Sequence, residues 1–331
     1  MNPRTPTALA LTVAAAAVLL SACATPENKT RAAAPVAPAP VADAKAFPPS
    51  APERGLAKGL DLPLETYMQD YADTVAIGNA TRLLAQDCMK TYGLDVQLPA
   101  PGPNPSPTEN DANMERRYGL TDRETAATYG YGLPGDEKPR TRQQPPGLDA
   151  LEIEVLTGRK APTGQEGRTA PPLPLEAREK ARESHNGKKI HERGCGGWAD
   201  QEINAPTADE LTRISALNGT SFTESMKTPA VVAAFKAWSA CMAGKGHPGF
   251  KDPFEAARSV TRPEGSPTGP QEITLALAEI DCKAETGLVG TWFAEESKIQ
   301  TTIVEEQRQV LDAFKTKNEA AVSAAGNRRE G

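Results

Sequence analysis

The chain has 331 residues and an acidic balance, 37 Lys and Arg against 43 Asp and Glu, for a formal charge of −6. That balance argues against a nucleic-acid partner, because phosphate recognition needs a basic face, and it gives no reason for the protein to lie flat on an anionic lipid surface. Aromatic residues make up only 5% of the chain, so the apolar core is thin and other restraints are expected to hold the fold.

The chain opens MNPRTPTALALTVAAAAVLLSAC, one basic residue (Arg4) followed by an apolar run from Ala8 to Leu20. The run is shorter than the roughly 20 residues a spanning helix needs, so residues 1–22 read as a secretory signal. Its end, Leu20-Ser21-Ala22-Cys23, resembles the lipobox of bacterial lipoproteins, where cleavage precedes a cysteine linked to diacylglycerol. That resemblance makes Cys23 the lipid-attachment residue and places the mature protein on the extracytoplasmic face of the cell membrane. Each buried methylene contributes about 0.8 kcal/mol, so more than one acyl chain gives a stable anchor. Residues 23–59 are rich in alanine and proline and poor in large apolar side chains. Such a stretch cannot offset its ordering entropy by burial and reads as a disordered tether.

Proline placement divides the remainder into an N-terminal half, 60–205, and a C-terminal half, 206–325. Leu64 to Leu98 contains no proline, and Leu64, Met68, Tyr71, Val75, Leu83, Leu84 and Cys88 form a helical stripe. Gly78 weakens its middle, and Gly93 is expected to end the helix in a left-handed cap. From Pro99 to Gly194 only short elements are expected. Thr121 to Glu124 forms a capping box opening a helix toward Thr128, Tyr129 to Gly132 makes a turn, and Leu148 to Leu156 reads as a helix. Glu176 to Glu183 reads as helix, broken at Asn186-Gly187. Trp198 to Ile203 reads as a further short helix.

In the C-terminal half, Thr228-Pro229 starts a helix with Val232, Phe235, Trp238 and Met242 on one face and Gly244 and Gly246 as stops. Asp252-Pro253 starts another, Phe254 to Val260. A last proline-free block carries Ile273, Leu277 and Ile280, pauses at Gly287, and continues through Trp292, Ile299, Ile303, Val310 and Phe314 in an amphipathic helix longer than roughly 30 residues. The expected fold class is all-α, disulfide-stapled, with a loop-rich middle and a long C-terminal helix.

Three segments, DCMKTYG, ACMAGKG and DCKAETG, place a glycine five positions after a cysteine, at Cys88, Cys241 and Cys282. Apart from Cys23, the chain has Cys88, Cys195, Cys241 and Cys282, an even set that reads as two disulfides in an exported protein. A cysteine in the last turn of a helix, with glycine ending that helix, fits a staple between helix ends. Three pairings are open. Cys88 with Cys195 and Cys241 with Cys282 is favoured, because the second pair then lies within the well-patterned C-terminal helices.

Cys88-Met89 and Cys241-Met242 suggest a diverged internal duplication. Together with Cys195-Gly196-Gly197 and the lipobox, they resemble uncharacterised lipoproteins of high-GC Gram-positive bacteria. The resemblance implies location and architecture, and it brings no activity with it.

Catalytic and metal patterns are weak. His185, His191 and Cys195 lie close together in SHNGKKIHERGC, but their spacing fits no paired zinc pattern and a fourth ligand is missing. The segment reads as a basic, solvated loop. No G-x-S-x-G elbow exists for a serine hydrolase. With His247 in a glycine loop as the third histidine, a general base is hard to nominate. Gly194-Cys195-Gly196-Gly197 lacks the strand and lysine of a phosphate loop and reads as a flexible approach to a disulfide. The acidic residues read mostly as solvated helix faces, such as Glu305 with Arg308 and Asp312 with Lys315, and no catalytic carboxylate pair is nominated. Tyr118, Tyr129 and Tyr131, interleaved with glycine, either line a recognition surface or cover the core beneath a long loop.

The expected role is therefore non-enzymatic: binding or structural, toward another envelope component such as a transporter, sensor or wall-associated protein, with no metal or cofactor. The alternatives are a wall-acting enzyme with a carboxylate pair and a small-ligand carrier.

Overall fold

The structure, a computed structural model, describes residues 52–101, 114–134, 147–162, 175–262 and 266–327. The signal, Cys23 and the tether up to residue 51 lie outside the described residues. Residues 52–59, which composition assigns to the tether, touch the helical body at Leu56 and Ala57: Ala57 is buried, and Leu56 N–H donates to the Thr121 carbonyl at 2.9 Å.

Among the described residues the fold is all-α apart from one small hairpin. Helix α1, Tyr71–Thr91, starts where the Asp70 carboxylate accepts from Asp73 N–H at 2.7 Å. That cap cuts short the expected stripe. Leu64 precedes a 3-10 turn, Glu65–Tyr67, Met68 follows it, and Leu83 is 38% exposed while its neighbour Leu84 is buried. Gly78 leaves the helix unbroken and lies against the Pro101 ring.

Helix α2, Arg123–Tyr129, is capped by Asp122 rather than by Thr121, whose hydroxyl donates to the Glu115 carbonyl instead. Helix α3, Ala150–Thr157, opens with a full capping box between Asp149 and Glu152. The expected helix over Glu176 to Glu183 does not form. A 3-10 turn at Leu175–Ala177 gives way to extended chain, with Lys180 bridged to Arg159. Strands β1, Ser184–His185, and β2, Lys188–Lys189, then pair antiparallel. Asn186-Gly187 between them has positive φ at both residues, 48° and 74°. This is hairpin-turn chemistry, and it overrides the helix propensity of the charged residues before it.

Helix α4, Gly194–Glu202, begins ahead of the expected Trp198, so the glycine run is helical rather than a flexible approach. Helix α5, Ala208–Ser225, follows, capped reciprocally by Thr207 and Glu210. Helix α6, Pro229–Gly244, turns Val231, Ala234, Trp238 and Met242 inward, so Val231 and not Val232 belongs to the buried face. Helix α7, Pro253–Ser259, and helix α8, Pro270–Thr286, both start with proline. Gly287, with φ of 65°, closes α8 and leads directly into α9, Leu288–Asn327, 40 residues long and about 60 Å at 1.5 Å per residue.

α9 packs on α1 near its C-terminal end and on α5 and α6 nearer its start. α4 packs on α1 and α3, α6 on α8, and α2 on α8. The two disulfides lie within this arrangement. Cys88–Cys195 joins α1 to α4 and Cys241–Cys282 joins α6 to α8, with sequence separations of 107 and 41. In the chain-entropy view these separations correspond to about 4.8 and about 3.9 kcal/mol as upper values. Cys88 and Cys241 sit in the last turn of their helices and Cys282 one residue before it, and Gly93, Gly246 and Gly287 all have positive φ.

The end of α3 and the start of α4 touch backbone to backbone. Gly158 and Gly194 both have left-handed φ, and a Cβ on Gly194 would lie 2.4 Å from the Leu156 carbonyl carbon and oxygen. Gly194→Ala is expected to cost about 2–4 kcal/mol, combining backbone strain with the clash. Gly59→Ala, with φ of +71° and open space around it, should cost only about 1 kcal/mol. Urea unfolding of both variants checks this, and equal losses would show that the contact is not tight.

Candidate functional site

Two features stand out chemically: a polar network drawn into the interior and a basic cleft at the surface. The acidic residues read mostly as solvated helix faces; Glu279 and Glu296 depart from that pattern, both being fully buried. On α9, Trp292, Glu296 and Gln300 follow one another at four-residue steps on the buried face. The Glu296 carboxylate accepts from Arg117 Nε at 3.0 Å, from Arg117 Nη2, from Tyr118 Oη at 2.9 Å and from Ser221 Oγ at 2.9 Å. Gln300 Nε2 donates to Asn218 Oδ1 and Ser221 Oγ, and its carbonyl accepts from Leu64 N–H at 2.9 Å.

A second pair lies on α8. Lys283 Nζ donates to the carbonyls of Tyr118 and Leu120 at 2.7 and 2.9 Å, and to Glu279 Oε1 at 2.5 Å. Tyr131 Oη donates to Glu279 Oε2 at 2.5 Å. Burial pulls the Lys283 ammonium below its ordinary pKa while Glu279 opposes the shift. Burial and the facing carboxylates lift both phenols, Tyr118 beside Glu296 and Tyr131 beside Glu279. These contacts decide between the two sequence readings of the tyrosine-glycine segment: Tyr118 is buried and Tyr131 is tied to Glu279, so both belong to the core's cover.

Glu65 borders this region without sharing in it. Among the described residues no donor stands in good hydrogen-bond geometry to either of its buried carboxylate oxygens. Burial, with the neighbouring Asp61 carboxyl, pushes its pKa from 4.5 up to about 9.

The basic cleft, about 550 Å³, lies between α1, α3 and α4. Arg82 enters from α1, Arg159 from just beyond α3, and Arg193 and Asp200 from α4 and its cap. Among the described residues Arg82 is fixed by neutral acceptors only: Asn79 Oδ1 at 2.8 Å, Gln86 Oε1 at 3.1 Å and the Leu98 carbonyl at 3.3 Å. The Arg159 side chain has no hydrogen-bond or ion-pair partner among the described residues. Arg193 stands 4.0 Å from Asp200, whose carboxyl is raised by burial against the pull of Arg193. Ala85, Leu98 and Leu156 supply apolar wall. The first turn of α4 has no side-chain cap.

The remaining sequence candidates separate. His185 sits in β1, His191 stacks on Trp198 at 5.7 Å, and Cys195 is committed to Cys88. Among the described residues no group of three or more His, Cys, Asp or Glu is arranged to hold a metal, and no helix is long and apolar enough to cross a membrane. Cys23 lies outside the described residues. Sequence reading missed α5, which supplies Asn218 and Ser221 to the network, although Thr207-Ala208-Asp209-Glu210 is a capping-box signal for its start. It also missed the three arginines of the cleft, which no spacing pattern connects. Compared with known protein families, curated proteins and solved structures, the chain matches none.

Glu296→Ala leaves Arg117 without its carboxylate and should destabilise by about 3–5 kcal/mol, measured by denaturant unfolding; a loss below about 1 kcal/mol would mean that water reaches the site and replaces the carboxylate.

For Glu65 the sign follows from its raised pKa. Above 4.5 the unfolded chain releases this proton while the folded protein holds it to about 9. Its stability contribution is therefore full below 4.5 and lost progressively as pH rises toward 9. Glu65→Gln should raise stability at about pH 8 by roughly 1–3 kcal/mol, allowing for the partial exposure of the residue, with little change at about pH 4. Chemical denaturation at both pH values reads the difference directly.

Proposed function

We propose that this protein is a lipid-anchored component of the bacterial cell envelope, held through Cys23 at the extracytoplasmic face of the cell membrane, with a non-enzymatic binding or structural role toward another envelope component. The observation that carries the reading is the disposition of sulfur. The chain has five cysteines, and Cys88, Cys195, Cys241 and Cys282 are joined in two disulfides. The fifth, Cys23, stands where the apolar signal ends. Disulfides persist in oxidising compartments, which agrees with export, and the likeness to secreted lipoproteins of high-GC Gram-positive bacteria points the same way.

Binding is favoured over wall hydrolysis because the two fully buried acids are matched in place, Glu296 by Arg117 and Glu279 by Lys283. A carboxylate acting as acid or nucleophile must instead reach substrate across a cleft. The basic cleft holds one carboxylate, Asp200, beside Arg193.

Metabolic labelling with an alkyne fatty acid tests the anchor. Wild-type protein should carry the label and sediment with membranes, and Cys23→Ala should lose both properties. Label retained in the variant, or unlabelled wild-type protein in the soluble fraction, would overturn the assignment.

A further inference from the structure

We propose that the cleft between α1, α3 and α4 is a binding site for a small amphiphilic anion, whose carboxylate or phosphate head is held by Arg82, Arg159 and Arg193 and whose apolar part lies against Ala85, Leu98 and Leu156. This deepens the binding reading given above and rests on it.

The argument begins with charge. The whole chain is acidic at −6, yet three guanidinium-bearing residues and one carboxylate line this cleft. Such concentration of one sign is costly unless something offsets it. Among the described residues Arg82 is not offset by any carboxylate. Its three acceptors are an asparagine, a glutamine and a backbone carbonyl, which orient the guanidinium while leaving its charge intact. Five N–H groups serve a guanidinium, and four are used here, so one remains for a ligand. Arg159 brings a guanidinium that has no partner among the described residues. Arg193 is held only loosely, 4.0 Å from Asp200.

The volume, about 550 Å³, falls within the range of small-molecule sites, roughly 300–1,000 Å³. Planar guanidinium forks match carboxylate and phosphate oxygens and hold them by charge-assisted hydrogen bonds. The apolar wall makes the fit to a bare inorganic ion incomplete and selects an anion with a hydrocarbon body. Asp200 sets the opposing term: it competes with the ligand for Arg193 and repels an incoming anion.

The head group could belong to a soluble organic acid or phosphate, or to an anionic lipid of the membrane beneath the protein. Isothermal titration of the mature full-length chain in phosphatidylcholine nanodiscs separates these. The probes are hexyl phosphate, inorganic phosphate as head alone, and hexanol as body alone. Hexyl phosphate should bind about tenfold or more tightly than either partial probe. The double variant Arg159→Gln/Arg193→Gln should weaken hexyl phosphate about tenfold. Asp200→Asn should tighten it about threefold, a gain that misfolding cannot imitate.

Repeating the titration in nanodiscs containing phosphatidylglycerol identifies the source. Competition there assigns the site to a lipid head group, and unchanged affinity assigns it to a soluble anion. Equal affinity for hexyl phosphate and hexanol, or no response to either set of variants, would overturn the proposal. The same titration on Cys23→Ser protein in solution reads the cleft without the anchor, so a failed anchor and a failed cleft give different results.

Discussion

A carboxylate taken out of water must be met by a cation or by several donors, because isolated burial of a charge costs more than most other contacts can return. In this protein that constraint fixes the middle of the chain. Glu296 and Glu279 project from α9 and α8 into the interior, and the residues that meet them come largely from the segment 114–134: Arg117, Tyr118 and Tyr131. Lys283 completes the arrangement by donating to the backbone carbonyls of Tyr118 and Leu120. A segment with one short helix is thereby held in a single register against two long ones. Apolar packing alone would tolerate sliding, since Leu and Ala contacts are not directional. Four hydrogen bonds converging on one carboxylate are not tolerant in this way.

The disulfides act at a different level. Buried ion pairs specify an arrangement, and cross-links restrict the unfolded chain from which it forms. The division suits the composition. With few aromatics, the largest aromatic cluster gathers around Trp292, which meets Tyr118, Phe222, Phe235 and Phe254. The region around α1, α3 and α4 has a smaller ring cluster, Tyr92, His191 and Trp198, and its core is otherwise made mainly of alanine, leucine, valine and isoleucine together with Met89, Cys88 and Cys195.

The architecture was legible wherever local chemistry decides structure. Proline after Thr228 and Asp252 marked helix starts, and glycine five residues after each of three cysteines marked helix ends, because left-handed φ is a backbone demand that sequence displays. Legibility failed where partners are distant. The buried stripe of α9 includes Glu296, Gln300 and Asn318, so a search for apolar periodicity passes over them and settles on Val310 when Leu311 is the buried neighbour. The helix expected over Glu176 to Glu183 failed for another reason: the Asn-Gly turn that follows it favours a hairpin, and pairing draws the preceding residues into extended chain. The cleft was illegible altogether, since Arg82, Arg159 and Arg193 meet only after α1, α3 and α4 have packed.

That meeting depends on the first disulfide. Cys88 lies on α1 beyond Arg82, and Cys195 lies in the first turn of α4 immediately after Arg193 and Gly194. Their Cα atoms are 5.6 Å apart, so the cross-link holds together the two helices that carry two of the three arginines. The third is set by the glycine contact, because Gly158 and Gly194 bring the end of α3 against the start of α4 and Arg159 follows Gly158 directly. Three like charges lining one cleft repel one another, which favours drift of the elements that carry them. The staple and the glycine pair remove that freedom, so oxidation of Cys88 and Cys195 shapes the surface as well as stabilising the fold beneath it.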